Sequence, residues 1–363
     1  MTTIAVGSGL AAQLVADNET TYGVSSLAAA RSYEFLSETL ELKKKTVEGT
    51  GLAAGRVYPR TKRRVIVSYE ASGNIVMEVP TRQLAFWIQH MIGSFGQTLA
   101  TPTEIGTTGI YKSVHQPGAF TGHSFSVQKG VPTADNATVE PITEVGGKIT
   151  DWTLKVATGA IAELTLTVDA RNELAGTGNG DPLNTAIPVL STFAPVTSGL
   201  GYGVFHFREA TLFQGGTPAL ASGEVSLTGA TAVANVKDAT IKEAHKFDDT
   251  RIFFGTNGFK AEPAENAFRA ITGTLTAEWY SGEALYEAFS ADTTTSLELT
   301  FTGPTVGTSN YLLDIIIPNI KFDGETPKVS GPKVVDQAMS FTGLDDEATT
   351  PIQITYQSED ATI

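Results

Sequence analysis

Residues 149–169 alternate between apolar and polar side chains, and this alternation constrains the fold more than any other feature of the sequence. The apolar positions are Trp152, Leu154, Val156, Ala162, Leu164, Leu166 and Val168. Because successive side chains of a β-strand point to opposite faces, the pattern predicts two strands that each bury one face and expose the other. Thr158-Gly159 between the two runs is typical of a turn, so the sequence predicts an antiparallel hairpin.

The composition of the whole chain favours the same class of structure. The 363 residues include 36 Gly, frequent Thr and only 18% charged residues, a mix typical of a β-rich chain with many turns. This length allows two domains or one large β unit. No cysteine occurs, which excludes disulfides and thiolate metal ligands. We find no secretory signal pattern and no apolar run of membrane-spanning length, so we expect cytoplasmic synthesis and no membrane partner.

Residues 34–96 contain the segment that most strongly suggests an intermolecular contact. The patterns predict a strand at 34–42, strands at 65–69 and 75–79 around a turn at 72–74, and a helix from Leu84 to Ile92. Between the first two strands lie residues 43–64, here called the arm, which are far more numerous than a hairpin turn needs.

The arm is strongly basic, although the chain as a whole has a net charge of −14. It has a single acidic residue, Glu48, and its basic residues are Lys43, Lys44, Lys45, Arg56, Arg60, Lys62, Arg63 and Arg64. A long charged loop on a β scaffold usually serves to contact another molecule. The arm is therefore predicted to dock on an acidic protein surface or, as the alternative, on nucleic acid.

The two halves of the chain share an internal repeat. Residues 73–81 align without gaps on residues 273–281, with matching Gly and Glu positions. Thr81 and Ser281 each stand where a helix N-cap belongs, before a run of helical periodicity. The shared order predicts a duplicated domain: a first domain at 1–175, a linker at 176–203 and a second domain at 204–363. The alternative is one large β-sandwich in which the likeness between the two halves is accidental.

The sequence offers no constellation of residues for catalysis or metal binding. None of the five histidines forms a pair at metal-ligand spacing. Residues 122–126 come near a nucleophile elbow, but the closing position is Ser126 and a strand follows instead of a helix. The acidic run Asp345-Asp346-Glu347 is more typical of a solvated loop than of a cation site. We therefore expect neither an enzyme nor a bound cofactor.

Several segments, taken in order, resemble the siphophage tail tube (major tail) protein family. They are residues 19–23, 33–42, 51–56, 73–93, 125–130, 147–154 and 329–337. The resemblance implies an all-β fold with short flanking helices, in which a duplicated β-sandwich or barrel-like domain forms a continuous β-barrel ring on assembly. It also implies a structural subunit of the virion, whose rings stack into a hollow tube that conducts DNA from the capsid to the host.

The resemblance also implies partners. The first is the chain itself, with three duplicated chains in a pseudo-hexameric ring, or six chains if the duplication is false. Tape-measure, tail terminator and tail tip proteins are implied as well, and DNA would pass through the lumen without specific binding. The arm occupies the position of the loop that contacts the neighbouring ring. The competing function is a non-catalytic β-sandwich binding module, such as an adhesin.

A tube that conducts DNA should not hold its phosphates, which predicts an acidic or neutral lumen. The candidates are acidic residues on the wet faces of alternating strands: Glu78, Asp151, Glu163, Asp169, Glu278, Glu298 and Asp314. The alternative is that several of them face the outer solvent, because the wet side of a strand is not necessarily the lumen.

Overall fold

The computed structural model of the protein describes residues 8–27, 30–133, 139–175, 203–280, 284–324 and 326–363, which are mostly β-strands. The strands up to residue 175 are β1 Gln13–Asn18, β2 Arg31–Ser32, β3 Ser37–Glu38, β4 Glu41–Glu48, β5 Arg64–Glu78, β6 Thr103–Glu104, β7 Tyr111–His115, β8 Phe125–Pro132, β9 Val139–Ala157, β10 Glu163–Ala170 and β11 Asn172–Ala175. The described residues contain two α-helices, α1 Leu84–Ile92 and α2 Ala284–Ser290. The prediction of an all-β fold with short helices is confirmed.

The later strands continue the same pattern. They are β12 Ala210–Gln214, β13 Thr217–Ala221, β14 Glu224–Thr228, β15 Thr231–Ala232, β16 Val236–Ala244, β17 Phe247–Asp248, β18 Ala264–Glu265, β19 Ala270–Glu278, β20 Thr295–Val306, β21 Ser309–Gly324, β22 Asp336–Gly343 and β23 Gln353–Ser358. The predicted linker, 176–203, lies outside the described residues except for Gly203.

One antiparallel sheet runs through both halves of the chain. Its strands pair in the order β5, β10, the second part of β9, β16, β19 and β22, and we call them the long sheet. Strands β3 and β4 extend it beyond β5, and the last residues of β21 extend it beyond β22. Pairing of β9 with β16 therefore makes the two halves one continuous sheet.

Two further groups of strands form the second layer. In the first half, β1 pairs with β2 and β8, and the first part of β9 pairs with β8 and β11. In the second half, β20 pairs with β12 and β21, and β23 joins β21 to β7. The apolar faces of both layers and helix α1 contribute to one large hydrophobic core. Strands β9 and β21 are long enough to take part in both layers.

Residues 149–169, which alternate between apolar and polar side chains, form the predicted structure. Strands β9 and β10 form the expected hairpin, with Trp152 opposite Leu166 and Leu154 opposite Leu164. These side chains are at most 3% exposed, whereas the intervening residues are partly exposed. Burial of large apolar side chains contributes about 1.5–3 kcal/mol each, so the face that carries them turns toward the core.

Two local predictions are wrong. The strand predicted to end at Leu42 continues to Glu48. The turn predicted at Ser72-Gly73-Asn74 does not exist, because β5 runs through it without interruption. Gly73 is needed for a close approach: a Cβ there would lie 2.3 Å from the backbone oxygen of Thr39.

The second half repeats this close approach. A Cβ at Gly273 in β19 would lie 2.3 Å from the backbone oxygen of Thr240 in the neighbouring β16. Turn propensity could not distinguish a close approach of two strands from a turn, because glycine is favoured in both.

We expect Gly73→Ala and Gly273→Ala each to destabilise the protein by about 1–3 kcal/mol, because the added methyl group forces the paired strands apart. Thermal unfolding would measure the change. Gly9→Ala is the control, since a Cβ at Gly9 meets no atom within 4 Å. Unchanged melting temperatures for both strand variants would contradict the close-approach explanation.

Candidate assembly surfaces

The arm is a two-stranded ribbon with a loop at its end. Strand β4 pairs with the first part of β5 until Glu48 lies opposite Arg64, and residues 49–63 connect the two strands. The loop closes where the Gly49 N–H donates to the Arg63 carbonyl oxygen at 3.0 Å. Seven of the eight predicted basic residues are exposed, and Arg60 is partly exposed. The arm thus presents the charge that the sequence predicted, on an extended support.

The arm also carries an apolar surface that the sequence analysis missed. Its exposed apolar side chains are Val47, Leu52, Val57 and Tyr58, and the exposed Val65, Ile66 and Val67 follow directly in β5. Leu52, Val57 and Tyr58 are each more than four-fifths exposed. The run 65–67 was the available signal, because three consecutive apolar residues cannot all face a core from one strand. So many exposed large apolar side chains in one region are typical of a protein–protein contact surface.

A loop from the second half supports the base of the arm. The ring of Phe259 stacks on the ring of Tyr69 in β5, with centroids 4.9 Å apart. The Tyr69 N–H donates to the carbonyl oxygen of Gly258 at 3.0 Å. The loop itself is held to β10 by an ion pair between Lys260 and Asp169. The direction of the arm is therefore set by contacts with both halves.

Buried polar contacts fix the junction between β9 and β16. The Trp152 indole N–H donates to Glu243 at 3.1 Å, and both side chains are buried. Lys148 is also buried, and its Nζ lies 2.6 Å from Glu262 Oε1 and 2.6 Å from the carbonyl oxygen of Phe120. Burial lowers the pKa of Lys148, and the Glu262 carboxylate opposes that shift. These contacts cross from one half to the other and lock their relative position.

The polar face of the long sheet is mainly acidic. Its charged residues include Glu70, Glu78, Asp151, Glu163, Asp238, Glu278 and Asp336 against Lys155, Lys237 and Lys242. Two of the lysines are paired with acids: Lys237 lies 2.9 Å from Glu278, and Lys242 lies 3.1 Å from Asp151. Four predicted lumen candidates, Glu78, Asp151, Glu163 and Glu278, thus share one face.

The other three lumen candidates have different surroundings. Asp169 belongs to the long sheet but is only 9% exposed, because Lys260 covers it. Glu298 and Asp314 lie on β20 and β21 in the second layer, whose solvent side is turned away from the polar face of the long sheet. These two residues do not share a surface with the first four, and sequence alternation alone could not distinguish the two layers.

Two carboxylate pairs have the raised pKa values that acid–base catalysts often show. Burial and the neighbouring Glu298 carboxylate raise the pKa of Asp314 to about 7. Burial, followed by the charge of Glu173 directly opposite on β11, raises the pKa of Glu144 to about 8. Glu144 is fully buried, so a substrate does not reach it. Structural packing accounts for this shift.

In the described part of the chain, no group of three His, Asp or Glu side chains is arranged to hold a metal ion. Neither described helix has the length and hydrophobicity required to cross a bilayer.

Comparison with known proteins gives the family of the chain. A family model described as phage tail tube protein matches residues 9–343, nearly the whole chain. The chain therefore belongs to the phage tail tube protein family, and the predicted family resemblance is confirmed. A search of curated proteins found no match.

The Glu144–Glu173 pair predicts a specific dependence of stability on pH. The folded state holds a proton on Glu144 up to about pH 8, whereas its ordinary pKa is 4.5. Stability from this group is therefore complete below pH 4.5 and is lost as the pH rises through about 8. We expect Glu144→Gln to reduce the fall in melting temperature between pH 5 and about pH 8.5 by several degrees. The exposed Glu140→Gln on the same strand is the control, and equal pH profiles for wild type and Glu144→Gln would refute the assignment.

Proposed function

We propose that this chain closes into rings that stack into the tail tube and form the channel for DNA. Its family supports a structural role in the virion and assembly with itself and with other tail proteins. The observation that carries the finer proposal is the long sheet. One of its faces is buried in the core, the other is polar and acidic, and strands β4 and β21 stand at its two ends. Such a sheet can close into a ring only through other subunits.

The proposed ring contains three chains, because each chain supplies two equivalent sets of strands. Strands β4, β5, β10 and β9 pair in the same order as β16, β19, β22 and β21. Helix α1 follows β5, and helix α2 follows β19. Three chains with two units each give a pseudo-six-fold ring, and cyclic closure leaves no free sheet edge.

The arm is proposed to dock on the adjacent ring. It projects exposed basic and apolar side chains, and residues of the second half support its base. An exposed ion pair is worth only about 0–1 kcal/mol. Burial of Leu52, Val57 and Tyr58 would add a larger hydrophobic contribution at each arm. Repetition around a ring multiplies both effects through effective concentration.

The polar face of the long sheet is proposed to line the lumen. The opposite face packs in the core, so only the polar face can be turned toward a central channel. Its excess of carboxylates would repel the phosphate backbone, and few free lysines would be present to displace counterions and retain DNA. DNA would then move through the tube without specific binding.

Electron microscopy of the purified protein tests the proposed function. We expect rings or tubes, with three chains per ring by symmetry or by mass measurement. A reconstruction should place Glu78, Asp151, Glu163 and Glu278 on the inner surface. Isolated monomers at all concentrations would contradict the proposed function, and six chains per ring would contradict the proposed duplication.

The arm is tested by reversing its charge. We expect the combined changes Lys62→Glu, Arg63→Glu and Arg64→Glu to leave the melting temperature nearly unchanged, since all three side chains are exposed. Rings should still form, but stacking into tubes should be lost. The matched control, Lys62→Arg with Arg63→Lys and Arg64→Lys, keeps the charge and should form tubes. Tubes of normal length from the charge-reversed protein would refute the docking role.

A further inference from the structure

Two stretches at opposite ends of the long sheet have one side without a strand partner. The first is residues 37–43, which pair with β5 on one side only. The second is Asp323 and Gly324, which pair with β22 on one side only. No other described strand pairs with the free side of either stretch. We call them the β4 edge, residues 37–43, and the β21 edge, Asp323 and Gly324.

The internal repeat relates both edges to the junction between the two halves. Ile75 corresponds to Leu275 in the aligned segments, and the pairing of neighbouring strands extends this correspondence. Glu38 lies opposite Ile75 as Ala239 lies opposite Leu275. Leu166 lies opposite Ile75 as Met339 lies opposite Leu275, and Trp152 lies opposite Leu166 as Gly324 lies opposite Met339. The β4 edge therefore corresponds to residues 238–244 of β16, and the β21 edge to Asp151 and Trp152 of β9.

Residues 151–157 and 238–244 are paired with each other inside the chain. We propose that the β21 edge of one chain pairs with the β4 edge of a second copy in the register of this internal junction. The register places Lys43 opposite Asp323, as Ala244 lies opposite Asp151, and Leu42 opposite Gly324. This inference rests on the proposed ring and identifies the strands that close it.

A groove beside the β21 edge favours this partner. In the first half, Trp152 fills the core beside β10, but its counterpart in the second half is Gly324, which has no side chain. A groove of about 510 Å³ is open there, and Phe289, Gly324 and Met339 contribute to its lining. The register places Leu42 of the second copy against this groove. Leu42 is only partly buried in the single chain, so it gains burial on pairing.

The backbone of the β4 edge is suited to accept a strand. The Thr39 N–H donates to the Asn74 carbonyl oxygen in β5 at 2.9 Å, so the backbone groups of Leu40 point to the free side. In the single chain these two backbone groups form hydrogen bonds with side chains. The Leu40 N–H donates to Glu38 at 2.9 Å, and the Leu40 carbonyl oxygen accepts from Lys129. Charged side chains commonly protect an edge until its partner arrives.

Charge favours the same register. Lys43 and Asp323 lie directly opposite each other in it, and opposite charges at such cross-strand positions are stabilising.

Disulfide cross-linking tests the register directly, because the natural chain has no cysteine. Lys43→Cys and Asp323→Cys in one chain would form a pair not bonded through its backbone, with Cα atoms about 4.5 Å apart, which suits a disulfide. We expect oxidation of assembled protein to convert most chains into covalent dimers and trimers. Asp151→Cys with Ala244→Cys should cross-link within one chain, and Lys45→Cys with Asp323→Cys, two residues out of register, should not form covalent oligomers.

The outcomes separate this inference from the proposed function. Rings without covalent oligomers from the Lys43/Asp323 pair would overturn the register and leave the proposed function intact. Absence of rings and tubes from the unmodified protein would overturn the proposed function itself. In a second test, we expect Leu42→Asp to abolish rings without lowering the melting temperature, whereas the exposed Leu220→Asp should keep them. Normal rings from Leu42→Asp would overturn the role of the groove.

Discussion

The pairing of β9 with β16 is the interaction on which the rest of the structure depends. It turns two similar sets of strands into one sheet and places their apolar faces over a shared core. The pair between the buried Lys148 ammonium group and the partly exposed Glu262 carboxylate reinforces the junction, because an ammonium group removed from water requires a partner. Moving one half against the other would take that partner away, so the contact opposes such a movement. The two halves are therefore held in one relative position.

The alternation of side chains along these strands separates the two faces of the long sheet. Apolar side chains must leave water, and they take the polar residues between them to the opposite face. That face carries more carboxylates than lysines, which is the electrostatic character that the proposed channel for DNA requires. The proposal needs no specific DNA contact, because alternation and an acidic charge bias along a few strands are enough to repel phosphates.

The long segment that joins corresponding strands has a different structure in each half. In the first half the segment projects as the arm, with its basic and apolar side chains in solvent. In the second half the segment folds back on the first half, where Phe259 stacks on Tyr69 and Lys260 pairs with Asp169. Under the proposed duplication, one segment is available for contact outside the subunit and the other gives support within it. This difference breaks the approximate symmetry of the repeat.

The sequence by itself determined the strand-rich class, the β9–β10 hairpin, helix α1 and the family, because alternation and helical spacing are local properties of the chain. It also located the charge of the arm. It did not reveal why Gly73 is a glycine, since the atom that a Cβ would meet belongs to Thr39 on another strand. Nor did it place Glu298 and Asp314 in a different layer from Glu78. Alternation shows that a side chain faces solvent, but only tertiary packing decides on which surface of the molecule it lies. That surface depends on strands far apart in sequence.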